Sequence, residues 1–206
     1  MTPQDWFVDD TGQCQARPTA RPWDLLRENF YMHQFLTEIL EIVGQAQLEQ
    51  EEWNFLPQIR TKVRQLVMNS YWLRTQYAEP DFQTGVNVST LYDEIGYPLT
   101  VQNVTTHSGV VSTIHNHGTW GIVFQLRGRD RHTFWRRTNS HEEPLNIEPT
   151  SEIVLGPGHL LSLHPDAIHQ VETVGPDWSL NFQLYGDTQP KRRFQFEPET
   201  QTARPF

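Results

Sequence analysis

The stretch Ser112–Gly128, STIHNHGTWGIVFQLRG, decides how the rest of the chain is read. Two histidines, His115 and His117, stand one residue apart in a segment with the composition of a β-strand. Side chains at i and i+2 of a strand share a face, so both imidazoles are expected to project together. Two neutral ring nitrogens converging on one point suit a metal ion better than a packed apolar core. The question becomes whether the chain supplies a third ligand, a pocket and a chemistry.

The 206 residues are 36% hydrophobic and 20% charged, enough for a substantial core and too apolar for a disordered chain. No apolar run reaches the roughly 18 residues that a transmembrane helix needs. The N-terminus, MTPQDWFVDD, lacks the basic region and apolar run of a secretory signal. A single cysteine, Cys14, excludes an internal disulfide framework and fits a reducing, cytoplasmic setting. A net charge of −9 argues against nucleic acid as a partner. The expectation is a small-molecule partner, no nucleic acid and no membrane, in a protein that is either a monomer or a homodimer.

Residues 1 to about 20 carry few periodic apolar positions and read as an irregular lead-in. From Pro22 the pattern is helical, with Met32, Phe35, Leu36, Ile39, Leu40 and Val43 at three- and four-residue steps and Gly44 as the expected stop. A second helix is expected after Asn54, with Pro57 in its first turn and Ile59, Val63, Leu66 and Val67 as its buried stripe. Beyond residue 84 the texture changes to short β segments from VNVSTLYDEI to WSLNFQLYG, punctuated by Gly96-Tyr97-Pro98, Gly128, Gly156-Pro157-Gly158 and Gly175-Pro176. The division is a lead-in and helical segment over 1–83, packed on a mainly β body with a C-terminal tail over 84–206. Many short strands at this spacing predict a sandwich or small barrel.

VLGPGHLLSLHPDAIHQVETV supplies three more histidines, His159, His164 and His169. His169 opens a strand after the Pro165-Asp166 turn, where its side chain can face inward with Val171 and Thr173. His159 follows a turn and is expected to be exposed. His164 alternates with Ser162 and competes with His169 as third ligand. His107 and His132 read as structural. Trp120 and Trp135 read as core or pocket wall. Arg127, Arg129 and Arg131 read as one solvated strand face on a hairpin rim, with an anion or partner site as the alternative.

These features resemble the cupin superfamily, a double-stranded β-helix (jelly-roll barrel) whose first motif carries H-x-H and a glycine, here IHNHGTWGIVFQLRG, and whose second carries Pro-Gly and a late histidine, here GPGHLLSLHPDAIH. The chain is most similar to the thiol dioxygenase branch, which includes cysteine dioxygenase and the bacterial 3-mercaptopropionate dioxygenases. Trp120-Gly121, Leu126-Arg127-Gly128 and the terminal Leu184-Tyr185 match that branch. The resemblance implies Fe(II) on His115, His117 and His169, a small thiol and O2 as substrates, and a sulfinic acid as product. Tyr185 matches the family's tyrosine beside the iron.

The chain departs from the family at three places. Gly121 stands near the position of the cysteine that animal enzymes cross-link to that tyrosine. Asn181, Gln183 and Tyr185 stand where the family carries Ser-x-His-x-Tyr; glutamine can hydrogen-bond but cannot take a proton as imidazole does. The arginine that grips the cysteine carboxylate has no counterpart in VNVSTLYDEIGYPLTVQNV, which leaves Arg192 or Arg193 as a carboxylate clamp or as part of an exposed tail. The expected site is thus His115, His117 and His169 for the metal, Tyr185 and Gln183 for catalysis, and Arg192, Arg193, Asn181 and Trp120 for substrate. The site chemistry keeps two rivals open: a cupin hydrolase or isomerase with zinc, manganese or nickel, and a non-enzymatic metal- or ligand-sensing cupin.

Overall fold

The computed structural model describes residues 3–19, 30–49, 54–138 and 146–206. It is mainly β, a jelly roll of two facing sheets with two helices against one of them, as the sequence leads one to expect. The strands are β1 Asp5–Val8, β2 Cys14–Arg17, β3 Val86–Asp93, β4 Thr100–Thr106, β5 Ile114–His115, β6 Gly121–Arg127 and β7 Asp130–Arg137. They continue as β8 Ile147–Leu155, β9 Leu160–Leu163, β10 Ile168–Thr173, β11 Ser179–Tyr185, β12 Phe194–Glu197 and β13 Thr202–Pro205. One sheet runs β2-β1-β9-β6-β11-β4-β3 and the other β13-β12-β5-β10-β7-β8. From β4 to β12 the chain passes repeatedly between the two sheets, so each inner face is assembled from segments distant in sequence.

The helices are α1 Met32–Glu49 and α2 Leu56–Asn69. The expected onset at Pro22 lies outside the described residues. The expected stop at Gly44 is corrected: α1 runs on to Glu49. Glycine inside a helix costs only about 1 kcal/mol, and Ala46 beyond it is buried in the core. Among the described residues no helix is long and apolar enough to cross a membrane.

The irregular lead-in is also corrected. β1 and β2 form an antiparallel hairpin, and β1 adds to β9 in parallel. A parallel partner distant in sequence leaves no local hairpin signal, and four-residue strands are too short to show periodicity. The C-terminal tail likewise folds, as the β12–β13 hairpin.

The largest apolar core lies outside the sandwich, between the helices and the seven-stranded sheet. Ile59, Val63, Leu66 and Val67 of α2 meet Val101, Ile122, Phe124, Phe182 and Leu184 there. Between the sheets the interior divides. One part is apolar, with Val123, Leu161 and Leu163 facing Phe134 and Leu155. The other is polar, because β11 turns Ser179, Asn181, Gln183 and Tyr185 to one face and Leu180, Phe182 and Leu184 to the other. Arg127 and Arg131 do not share a strand: they flank the Gly128 turn where the chain crosses between sheets. Arg127 lies over the Trp178 ring at 4.0 Å, and Arg131 pairs with Glu172 at 2.8 Å. A side chain at Gly128 would meet the Trp178 carbonyl at 2.6 Å, and its φ of +70° favours glycine.

Phe182 is fully buried on the helix-facing side of β11. Phe182→Ala is expected to destabilise the protein by about 3–5 kcal/mol in urea unfolding while leaving metal binding between the sheets intact.

Candidate metal centre

β5 is only two residues long, yet it has a partner on each side. His115 lies opposite His169 of β10 and opposite Gln195 of β12. Two histidines distant in sequence thereby become direct cross-strand neighbours, their ring centroids 4.7 Å apart. His117 lies beyond the end of the strand, so the same-strand expectation is corrected. It reaches the site through the loop Asn116–Gly118.

That loop is clamped on both sides. Asn116 donates through Nδ2 to the Arg192 carbonyl at 2.7 Å and accepts at Oδ1 from the Phe194 N–H at 2.8 Å. Gly118 donates to the Pro165 carbonyl and accepts from the Gln189 N–H, each at 3.2 Å. Its φ is +64°, and an added Cβ would lie 2.8 Å from the Gln189 carbonyl. The residues between and after the two histidines therefore hold the C-terminal segment against the site.

His115, His117 and His169 offer ligand atoms that all lie within 4.8 Å of one another. His117 Nε2 and His169 Nε2 are 3.0 Å apart. Nδ1 of His115 is 2.9 Å from the Thr113 carbonyl, which fixes the ring and leaves Nε2 as its ligand atom. Burial, together with the neighbouring histidines, holds His117 and His169 well below the ordinary imidazole range. His115 is lowered mainly by burial. Neutral rings have a lone pair to give a metal without first losing a proton. Buried nitrogens of like kind at this spacing, with no carboxylate in the cluster, fit a divalent ion coordinated by imidazole alone.

The rings border a cavity of about 600 Å³ between the sheets. Gln102, Asn181, Gln183, Tyr185, Arg193 and Phe206 also line it. Tyr185 stacks on His117 at 4.6 Å. A side chain at Gly121 would meet the Tyr185 ring at 2.8 Å, so the glycine makes the room that ring occupies. Burial pushes the Tyr185 hydroxyl far above its ordinary range, with Arg193 acting against this, so it stays protonated.

The polar side chains of β11 form a ladder with a fixed sense. Asp130, buried, is the acceptor for Thr173 Oγ1 at 2.8 Å and for Asn181 Nδ2 at 3.0 Å. Asn181 therefore turns its Oδ1 to Gln183 Nε2 at 2.7 Å. Gln183 in turn offers Oε1 to Gln102 Nε2 at 2.7 Å and to the Tyr185 hydroxyl at 3.0 Å. With its proton directed at Gln183, the Tyr185 oxygen keeps its lone pairs for the cavity.

The remaining expected site residues separate. Arg193 lines the cavity and lies over the Phe206 ring at 4.1 Å, whereas Arg192 points away to Asp166, 2.5 Å distant. Trp120 does not line the cavity; it packs in the helix-side core, edge-on to Phe55 at 5.8 Å. Its neighbour Gly186 is required, since a Cβ there would lie 2.3 Å from the indole nitrogen. His164 accepts from the Asp166 N–H through Nδ1 and lines a different cavity. His159 is buried rather than exposed, because its turn carries backbone bonds to Gly156 and Gln125. Cys14 is remote in role: burial, with Asp9 adding to it, pushes its thiol up to about 12, and such a thiol is not a nucleophile at neutral pH.

One residue was missed from sequence. His132, buried on β7, sets its Nδ1 3.4 Å from Nδ1 of His169. Burial takes it down to about 4 against the opposing pull of Asp130. A neutral His132 can accept the Nδ1–H of His169 and so present that ring's Nε2 to a metal. The signal was present: His132 and Phe134 alternate on β7, and β7 pairs with β10 in register His169↔Phe134. Only the pairing, not the spacing, reveals it.

No protein-family model and no curated protein matches the chain. Solved structures similar to it include an oxalate oxidase in complex with glycolate (14% identity, TM-score 0.43), which covers 56% of this chain and 58% of that one. A mutant of Bacillus subtilis oxalate decarboxylase (15%, 0.43) covers 56% and 29%. A cupin superfamily protein from Desulfitobacterium hafniense (15%, 0.43) covers 56% and 87%. The chain thus spans little more than half of the oxalate oxidase chain and under a third of the oxalate decarboxylase chain. Likeness at this level leaves the chemistry to be argued from the site.

His132→Phe keeps a ring in place and removes the acceptor for His169. Divalent-metal affinity, measured by competition with a chromophoric chelator, is expected to fall by roughly 10- to 100-fold. His169→Ala should abolish stoichiometric binding.

Proposed function

We propose that this chain is a metal-dependent enzyme of the cupin type, a non-haem Fe(II) thiol dioxygenase that converts a small thiol to its sulfinic acid. The observation that carries this reading is a cavity between the sheets with three imidazoles, no carboxylate in the metal cluster and one guanidinium at its wall. Three neutral ligands leave the charge of a divalent ion uncompensated, which favours an anionic ligand such as a thiolate. Iron(II) held by His115, His117 and His169 would supply the redox chemistry needed to add both atoms of O2 to the thiol sulfur. The motif resemblance around residues 112–128 and 156–185 supports the reading of iron and a thiol.

The chain's own groups bind and orient. Arg193 is the one lysine or arginine among the described residues lining the cavity, and it suits an acidic group on the substrate. Tyr185, protonated and anchored on Gln183, holds an oriented oxygen over the cavity beside His117. Its lone pairs take a donor from the substrate side. Thr100, Gln102 and Val104 of β4 face the cavity without a cation, so nothing there grips an α-carboxylate flanked by an ammonium. The preferred substrate is therefore a thiol whose acidic group reaches Arg193, such as 3-mercaptopropionate, rather than cysteine.

The test is O2 uptake by iron-loaded protein with 3-mercaptopropionate, cysteine and cysteamine, with the product identified by mass spectrometry. Equimolar O2 uptake and sulfinate formation are expected, with the highest kcat/KM for 3-mercaptopropionate. Turnover of no thiol would instead favour a zinc, manganese or nickel hydrolase or isomerase, or a metal- or ligand-sensing module. Tyr185→Phe should keep the metal and slow turnover. Arg193→Met should raise KM for the acidic thiol on the order of tenfold to a hundredfold and leave KM for cysteamine nearly unchanged.

A further inference from the structure

A second cavity, of about 830 Å³, shares no lining residue with the first. It lies where the start of α2 approaches the β1–β2 hairpin and β9, and Arg17, Leu56, Pro57, Arg60, Thr61 and Ser162 contribute to its wall. Arg60 is 6% exposed, and its Nε and Nη1 are buried with no hydrogen-bond partner. The nearby carboxylate is already committed: Asp5, also buried, pairs with Arg64. Asp5, Arg60 and Arg64 together carry one negative and two positive charges, which leaves one buried cation uncompensated. Ser162, fully buried, has a hydroxyl without a partner on the same wall.

The helix adds to this. No side chain caps the N-terminus of α2, and its first turn contains no acidic residue, although that end of a helix attracts negative charge. Burial pulls the Arg60 guanidinium below its ordinary range, with Asp5 opposing and Arg17 and Arg64 reinforcing. An unpaired guanidinium in such a place is costly unless an anion meets it. Asp9 and Asp10 also border the cavity. Asp9 is occupied by its own turn, accepting from the Thr11 and Gln13 backbone N–H groups and the Thr11 hydroxyl, and Asp10 is exposed.

We propose that this cavity is a second ligand site, separate from the metal centre, that binds a small oxyanion on Arg60 and Ser162, beside the N-terminal end of α2. The shared chemistry is a planar carboxylate or a tetrahedral phosphate or sulfate, each able to take two parallel N–H bonds from the guanidinium fork. The site stands independently of the reaction catalysed at the histidines.

Thermal unfolding of the 206-residue chain is followed while malonate, phosphate or sulfate is titrated against sodium chloride at matched ionic strength. At least one of the three is expected to raise Tm saturably, and the one that does so identifies the carboxylate or the tetrahedral class. Arg60→Met should unfold without anion at or above the wild-type Tm, since it removes an unpaired buried charge. Its apparent affinity for the anion should be at least about tenfold weaker. Arg193→Met, which removes the cation from the histidine cavity, should respond as wild type does. Should Arg60→Met fail to fold, Arg60→Lys, which keeps the charge and loses the fork, is expected to show the same weakening. The proposal is overturned if no anion gives a saturable rise, if the Arg60 variants respond as strongly as wild type, or if the response disappears in Arg193→Met instead.

Discussion

The histidine cavity depends on the seating of a two-residue strand, Ile114–His115, between β10 on one side and β12 on the other. A strand that short has too few backbone bonds to hold itself. What holds it is closure from the C-terminus: Asn116 bonds both to the Arg192 carbonyl and to the Phe194 N–H, and Gly118 bonds to Gln189. The same closure brings Arg193 and Phe206 to the cavity wall, where the Phe206 ring faces His115 at 5.2 Å. Ligand, anion-binding group and wall are thus set by one set of contacts. The short strand works because its neighbours are long-range partners, whose geometry is rigid once the jelly roll has formed.

Within that frame, β11 solves a problem that its sequence creates. Facing four polar side chains into a sandwich interior is costly unless every donor and acceptor is matched. Asp130 anchors the row, and because it only accepts, each amide above it has a single satisfactory orientation as far as the Tyr185 hydroxyl. The glutamine at position 183 is the amide that meets the tyrosine. It fixes the direction of the tyrosine proton without being able to exchange one itself. Gln102, donating from β4, completes the acceptor and ties the ladder to the neighbouring strand.

Much of this was legible in the sequence, and most of the parts that were not share one cause. Eight β segments after residue 84 could be read because alternation and Gly/Pro turns are local signals. The His115–His117 pair could be read because its spacing is local, whereas His169 and Tyr185 were reached through the motif resemblance around residues 156–185. What escaped was set by pairing between distant segments: β1 beside β9, β12 beside β5, and His132 behind His169. Arg192 and Arg193 are adjacent in sequence and identical in chemistry. Only the turn at Pro190–Arg192 and the pull of Asp166 decide that Arg193 is the one facing inward. Trp120 reads from the sequence as either core or pocket wall, and it lies in the core. The strand that begins at Gly121 turns it to the helix side, where Phe55 and Gly186 enclose it.

Charge balance connects the centre to the interior behind it. A divalent ion on three imidazoles, with Arg193 at the cavity wall, is a strongly positive assembly in a region of low dielectric constant. Among the described residues the one buried acid on that side is Asp130, which lies two residues from His132 on the same face of β7 and raises that ring's proton affinity. His132 in turn meets His169. The sequence Asp130, His132, His169 would therefore relay part of the counter-charge toward a metal held by His169, through neutral, polarisable rings. Thr173 and Asn181 hold Asp130 in place, so its oxygens cannot swing toward the cavity and become ligands themselves. A divalent ion held there would keep positive charge that only a ligand entering the cavity could compensate, and an anionic ligand would do so better than a neutral one.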